Sequence, residues 1–196
     1  MANILNELNA DQLPTTVYQQ LFEMGNRLLK EKNIDKLLRI AMDMAMKISG
    51  AERGWLPIFK PESNEIMYQV FKNIQQKDIE QPEFEISRTI IENVKRDRNP
   101  VCLPNIQTDR ELKQDKAFKK GKTLSVICLP LLQQKNIFGM VYLDNHRRTG
   151  EFKLETFDFI KEFANFISTA VWSLLEEKQL QNLVSNIGKA SVKKGK

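Results

Sequence analysis

Few side chains in this sequence could do covalent or acid–base chemistry, and their spacing limits what they can do. His146 is the single histidine, and a nucleophile would need it, or a carboxylate, as its base. It follows an apolar run ending in Asp144 and lies in the hydrophilic stretch Asn145 to Gly150, so a solvated turn residue is expected. One histidine without clustered cysteines assembles no zinc site. The two cysteines, Cys102 and Cys128, each have apolar neighbours (Val101 and Leu103, Ile127 and Leu129) and read as strand packing rather than as a disulfide framework. The carboxylate pairs Glu83/Glu85 and Glu176/Glu177 stand in polar surroundings and read as surface charge, not as an acid–base pair. Neither a GxxxxGK(S/T) phosphate loop nor GxGxxG occurs. Hydrolase, kinase and dinucleotide-dependent functions lose their main support, and no catalytic residue or metal ligand is assigned.

A chain of 196 residues, 41% of them hydrophobic, suits one domain of ordinary size with terminal extensions. No stretch approaches the roughly 18 consecutive apolar residues of a membrane span, and the first residues show no basic region followed by an apolar run. A soluble, cytoplasmic protein without membrane contact is expected. The formal charge of +5 invites a nucleic-acid reading, so its location matters. Lys189, Lys193, Lys194 and Lys196 supply much of it, and between Asp109 and Lys122 six basic side chains meet three acidic ones. No aromatic residues alternate with the tail lysines as a single-strand binder requires, so solvated tail and loop is preferred to a nucleic-acid surface.

The elements that must position these residues follow from periodicity. After Leu13-Pro14-Thr15, the residues Val17, Leu21, Met24 and Leu28 recur at helical a/d spacing. Asn33 or Asp35 caps a second helix lined by Leu37, Leu38, Ala41, Met44, Ala45 and Ile48 and ended by Gly50, and its methionines (Met42, Met44, Met46) read as packing. Arg53 to Phe59 and Glu65 to Lys72 form a hairpin, and Pro57 implies an edge or a bulge. Ser87 caps a helix over Arg88 to Arg96, with Ile90, Ile91 and Val94 inward, before a short strand Val101 to Leu103. The polar segment Pro104 to Lys122 is expected to hold a short helix around Leu112 to Phe118. Thr123 to Leu132 and Ile137 to Asp144 are the strongest strand signals. The first is apolar on both faces and should be central, with helices covering both sides. A helix from about Lys153 runs beyond Leu175, with Phe159, Phe163, Phe166, Ile167, Ala170, Val171 and Leu174 inward and Leu180, Val184 and Ile187 continuing the stripe. The order of elements gives an α+β fold with an antiparallel sheet of five to six strands, helices on both faces, and long N- and C-terminal helices. Residues 1–14 form an extension, 15–175 the domain, and 176–196 a helical extension and basic tail.

Six pieces together resemble the GAF domains of sensor kinases, cyclic-nucleotide phosphodiesterases, adenylyl cyclases and enhancer-dependent transcription regulators. They are Ser49 to Leu56, the helix Ile86 to Val94, Asn99 to Asn105, Leu124 to Leu131, Ile137 to Asn145, and Phe152 to Val171, in family order across Gln19 to Val171. The resemblance implies a GAF/PAS-like fold and a regulatory role. Within it Gly139 is read as relieving crowding, Pro130 as seated at a bulge, and Asp144-Asn145 as holding the turn that follows them. Cyclic-nucleotide-binding members carry an Asn-Lys followed at a distance by Phe-x-x-x-Asp-Glu. Here Phe152 is followed by Thr156-Phe157 and no Asn-Lys occurs, so cyclic AMP and cyclic GMP are not expected as ligands. Bilin-binding members attach the chromophore through a cysteine commonly followed by histidine, whereas leucine follows both cysteines here. Members that reduce free methionine sulfoxide carry their cysteines in pocket loops, and neither Cys102 nor Cys128 matches.

Three functions compete. In the first, Pro104 to Lys122 closes a small-molecule pocket over one sheet face, near Arg88, Asn105, Asp109, Phe118 and Thr123. In the second, the pocket is filled by side chains and the domain is a ligand-free dimerisation scaffold of a signalling protein. In the third, the basic loop and tail bind nucleic acid or an acidic partner. The first is preferred, with no enzymatic activity of its own, an unidentified ligand, and a downstream signalling domain or protein as recipient. A homodimer is expected through Val17, Leu21, Met24 and Leu28 of the first helix and Phe163, Phe166, Ala170 and Leu174 of the last, pairing as a four-helix bundle.

Overall fold

In the computed structural model, residues 15–60, 63, 65–80, 85–109, 123–147 and 152–194 are described, with backbone only for residues 17, 79, 85–87, 154, 155 and 188–194. Helix α1 (Thr15–Lys30) leads into α2 (Ile34–Ser49). Asn33 begins α2 because its side-chain oxygen accepts from the Lys36 amide at 3.1 Å, and Gly50 ends it in the left-handed conformation (φ 69°), where a glycine pays no side-chain penalty. Strands β1 (Arg53–Phe59) and β2 (Ile66–Lys72) form the hairpin, a four-residue helix α3 (Gln76–Ile79) follows, and α4 (Glu85–Asp97) leads to β3 (Val101–Leu103). Because α4 begins at Glu85, Ser87 lies within the helix and is not its cap. Then come a 3-10 turn (Ile106–Thr108), β4 (Ser125–Gln133), β5 (Asn136–Asn145) and the 41-residue α5 (Leu154–Lys194).

The sheet is antiparallel in the order β2-β1-β5-β4-β3. β4 is interior, as its two apolar faces require, but the middle place belongs to β5. The alternation along β4 divides the core. Ile127, Leu129 and Leu131 join α1, α2 and α5 on one face, and Val126 and Cys128 join Ile90, Ile91 and Val94 of α4 on the other. Helices therefore cover both faces. Pro57 sits on the interior strand β1 rather than on an edge, and its missing donor falls where the β1–β5 pairing lapses between Trp55 and Ile58. Gly139 faces that lapse, where an added Cβ would lie 2.8 Å from the Pro57 carbonyl oxygen and 2.8 Å from Ile58 Cδ1. Pro130 lies beside the bulge between Leu131 and Leu132.

The last helix has two regimes. Phe163, Ile167, Ala170, Val171 and Leu174 are buried, whereas Leu180, Leu183 and Val184 are 63%, 52% and 70% exposed. The residues expected at a dimer interface are mostly consumed inside one chain: Leu21, Leu28, Phe163, Ala170 and Leu174 are buried, and Met24 and Phe166 are half-buried against the same core. The cause is the contact of α1 with α5, so close that a Cβ at Gly25 would collide with the Phe166 ring. Val17's side chain lies outside the described residues. The apolar side chains that α1 leaves exposed are Tyr18, Phe22 and Leu29, on the neighbouring face. In α2, Met42 is the fully buried methionine and Met44 is half-buried. Among the described residues no helix is long and apolar enough to cross a membrane.

Candidate functional site

The main buried polar constellation gathers where β1 begins and β5 ends. Antiparallel register sets Arg53 opposite Asp144. Arg53 Nε donates to Asp144 Oδ1 at 2.7 Å and Nη2 donates to Oδ2, a bidentate pairing, while the Tyr142 hydroxyl donates to Oδ2 at 2.6 Å. Asp144 is fully buried and the Arg53 side chain is 16% exposed. Burial alone would raise the Asp144 carboxyl. The hydrogen bonds from Arg53, the neighbouring His146 ring, the Arg53 charge and the Tyr142 hydroxyl outweigh it and hold the group below its ordinary value. Burial likewise opposes the Arg53 charge, but the Asp144 bond and charge prevail and raise its pKa.

Asn145 extends the network. Its Oδ1 accepts from the Glu52 amide at 2.8 Å and its Nδ2 donates to Ser125 Oγ at 3.2 Å. Glu52 Oε2 accepts from the His146 amide at 3.0 Å, and Asn73, at positive φ (56°), donates from Nδ2 to the Glu52 carbonyl at 2.7 Å. The ends of four strands are thereby fastened together. Asp144 and Asn145 bind across the sheet to β1 and β4, while the turn they were expected to hold runs into residues outside the described ones. His146 also differs from a merely solvated turn residue. It is half-buried, with Nε2 3.3 Å from Thr123 Oγ1 and 3.7 Å from Asp144 Oδ2.

Of the expected pocket residues, Thr123 is buried in this network. Asn105 is close by, since the Ile106 amide donates to the Leu124 carbonyl at 2.9 Å, but its Oδ1 is engaged by the Gln107 amide at 2.9 Å as the cap of the 3-10 turn. Asp109 ends that turn half-buried, and Arg88 is half-buried on α4. Phe118 and the helix expected around it lie outside the described residues. Arg53, Tyr142, Glu52 and Ser125 were not singled out from sequence. The available signal was an arginine opening an apolar strand and an aspartate closing another.

Chemically the constellation is closed. Both Asp144 oxygens already accept strong donors, so the carboxylate is an anchor and a poor general base. Cys102 lies on β3 with its thiol raised to about 11 by burial and the Asp158 charge, and Cys128, fully buried on β4, is raised further by burial. Neither is poised as a thiolate at neutral pH. Among the described residues no group of three or more His, Cys, Asp or Glu side chains could hold a metal ion. Phe152 is buried, and the following Thr156-Phe157 lies on the first turn of α5 with Phe157 packed on the core.

The sequence model of the GAF domain matches residues 33–171, and this chain belongs to that family. Hybrid signal transduction histidine kinase G of Dictyostelium discoideum is 30% identical over 83 residues, which is 42% of this chain, and the aligned part spans 2% of the length of that relative. The GAF domain of a phosphoenolpyruvate-protein phosphotransferase from Coxiella burnetii superposes with a TM-score of 0.60 at 12% identity, covering 83% of this chain and 96% of that one. Free methionine-R-sulfoxide reductase from Neisseria meningitidis, solved with its substrate, gives 0.58 at 10% identity over 85% and 96%. These two structures share the fold.

Proposed function

We propose that this chain is a sensory and regulatory GAF module that binds a small molecule and, as a homodimer, relays the effect through α5 to a downstream signalling domain or protein. The observation that carries this reading is the apolar surface left once the core is complete. Tyr18, Phe22 and Leu29 on α1 are 47%, 63% and 44% exposed, and Leu180, Leu183 and Val184 extend the series on α5. At helical spacing each set occupies one side of its helix, and pairing two copies would remove both from water. The family membership and the histidine-kinase relative support a signalling context. Light scattering should return about twice the 22.8 kDa chain mass, and Phe22→Asp combined with Leu183→Asp should give a folded monomer. A wild type that stays monomeric at tens of micromolar would remove the dimer from this reading.

A ligand-free scaffold is favoured by one observation. The sheet face toward α4 is filled by Trp55, Val126, Cys128, Met140 and Tyr142, all buried. Native mass spectrometry of the purified, unheated protein separates the two: a co-purifying small molecule supports the sensor, and a bare mass from several expression hosts supports the scaffold. In either case the chain is not itself an enzyme on this reading, because its two thiols are raised by burial and its best-placed carboxylate is already paired. Turnover of free methionine sulfoxide with a thiol donor, lost in Cys102→Ser, would contradict that.

A further inference from the structure

At the opposite end of the sheet from the Arg53–Asp144 pair, a cleft of about 570 Å³ opens between the β1–β2 hairpin and α5. This volume is within the range of small-molecule sites, roughly 300–1,000 Å³. Its aromatic walls come from three elements. Tyr68 lies on β2, Phe138 stands near the start of β5, and Trp172 on α5 meets Phe138 edge-on at 5.3 Å between centroids and 61° between planes. Phe59, at the end of β1, borders the cleft, but its ring packs toward α4 beneath Lys95. Such walls accept a flat apolar body.

The charges at the mouth define what that body carries. Lys60 is neutralised by Glu65 at 2.6 Å. The Lys178 ammonium stands 5.5 Å from the Tyr68 ring centroid, half-buried, and has no carboxylate partner among the described residues. A cation over an aromatic face beside apolar walls is a seat for one anionic oxygen group. Glu176, on the same rim, opposes a second negative charge. We propose that this cleft is a binding site for a small, flat apolar monocarboxylate, with Lys178 taking the carboxylate and the aromatic walls taking the body.

The site is separate from the sheet face toward α4 and does not depend on a pocket there. It joins the hairpin to the stretch of α5 between the buried Leu174 and the exposed Leu180. An occupant would therefore fasten the departing half of the helix to the sheet.

Calorimetry with 2-naphthoate tests the assignment. Binding at one site per chain with a Kd of about 100 μM or tighter is expected. Lys178→Gln should weaken it roughly tenfold, and so should replacing the carboxylate with a neutral hydroxymethyl group. Naphthyl phosphate should bind more weakly than naphthoate. Met67→Trp, a change at an exposed residue of the same rim, should block binding while circular dichroism stays unchanged. Absence of binding at millimolar naphthoate would overturn the proposal, as would affinity indifferent to both Lys178→Gln and Met67→Trp. Self-association lost in Met67→Trp, without naphthoate binding, would make the cleft a contact between copies and also overturn it.

Discussion

Where β1 begins and β5 finishes, Arg53, Asp144, Tyr142, Glu52, Asn145 and Ser125 close on one another with their polar atoms matched. Where β1 finishes and β5 begins, Tyr68, Phe138 and Trp172 of α5 line an open cleft. The same strands thus carry a locked end and an open end. A paired, buried network specifies one register because a slipped strand would strand its charges, whereas apolar walls tolerate repacking. The locked end fixes the sheet, so a ligand bound at the open end, as proposed above, would not be needed to hold the fold.

The largest effect should come from breaking the lock. Asp144→Asn leaves Arg53 mostly buried without its counter-charge and should cost about 3 kcal/mol in urea unfolding. A loss below about 1 kcal/mol would mean that the two ends contribute alike. Next, Gly139→Ala drives a methyl group against the Pro57 carbonyl, a backbone atom that cannot step aside, and should cost about 2 kcal/mol. Gly54→Ala should cost less, since the atom it meets first is the Met42 sulfur, near the end of a flexible side chain.

The pH dependence follows in size. The Asp144 carboxyl is held below its ordinary 3.8 in the folded chain, so its contribution is complete above that value. It is lost as pH falls through the lower folded value, because the unfolded chain then binds the proton first. Stability measured by thermal melts should decline on acidification below about pH 4, and Asp144→Asn should flatten part of that slope. The smallest effect belongs to the open end. The Trp172 indole N–H is buried without an acceptor among the described residues, so Trp172→Phe should change stability by no more than about 1 kcal/mol, in either direction, while retaining an aromatic ring against Phe138.

Element order and type were legible because periodicity and caps are local: Asn33, Gly50, and the alternation along β4 each act within a few residues. What a stripe faces was not legible. Leu21, Leu28 and Leu174 have the spacing of an interface, and the same spacing serves packing between two helices of one chain. The Arg53–Asp144 pair was missed for a related reason, since its members are 91 residues apart and meet only once the β1–β5 register is set. Asp144-Asn145 stood out from the sequence as polar residues ending an apolar strand, but their partners across the sheet could not be named. The apolar cleft draws on four separate elements and leaves no contiguous motif.

The seat of Gly25 on the Phe166 ring has a mechanical consequence. Because Gly25 has no side chain, the Phe166 ring packs directly on the α1 backbone, and a roll of α5 would press on α1 through that contact. At roughly 1.5 Å per residue, the 41 residues of α5 make a rod about 60 Å long. A few degrees of roll where it lies on the sheet would reach its far end as the same angle. The exposed stripe on α5 would turn with it, and the quantity leaving the domain would be an angle rather than a displacement.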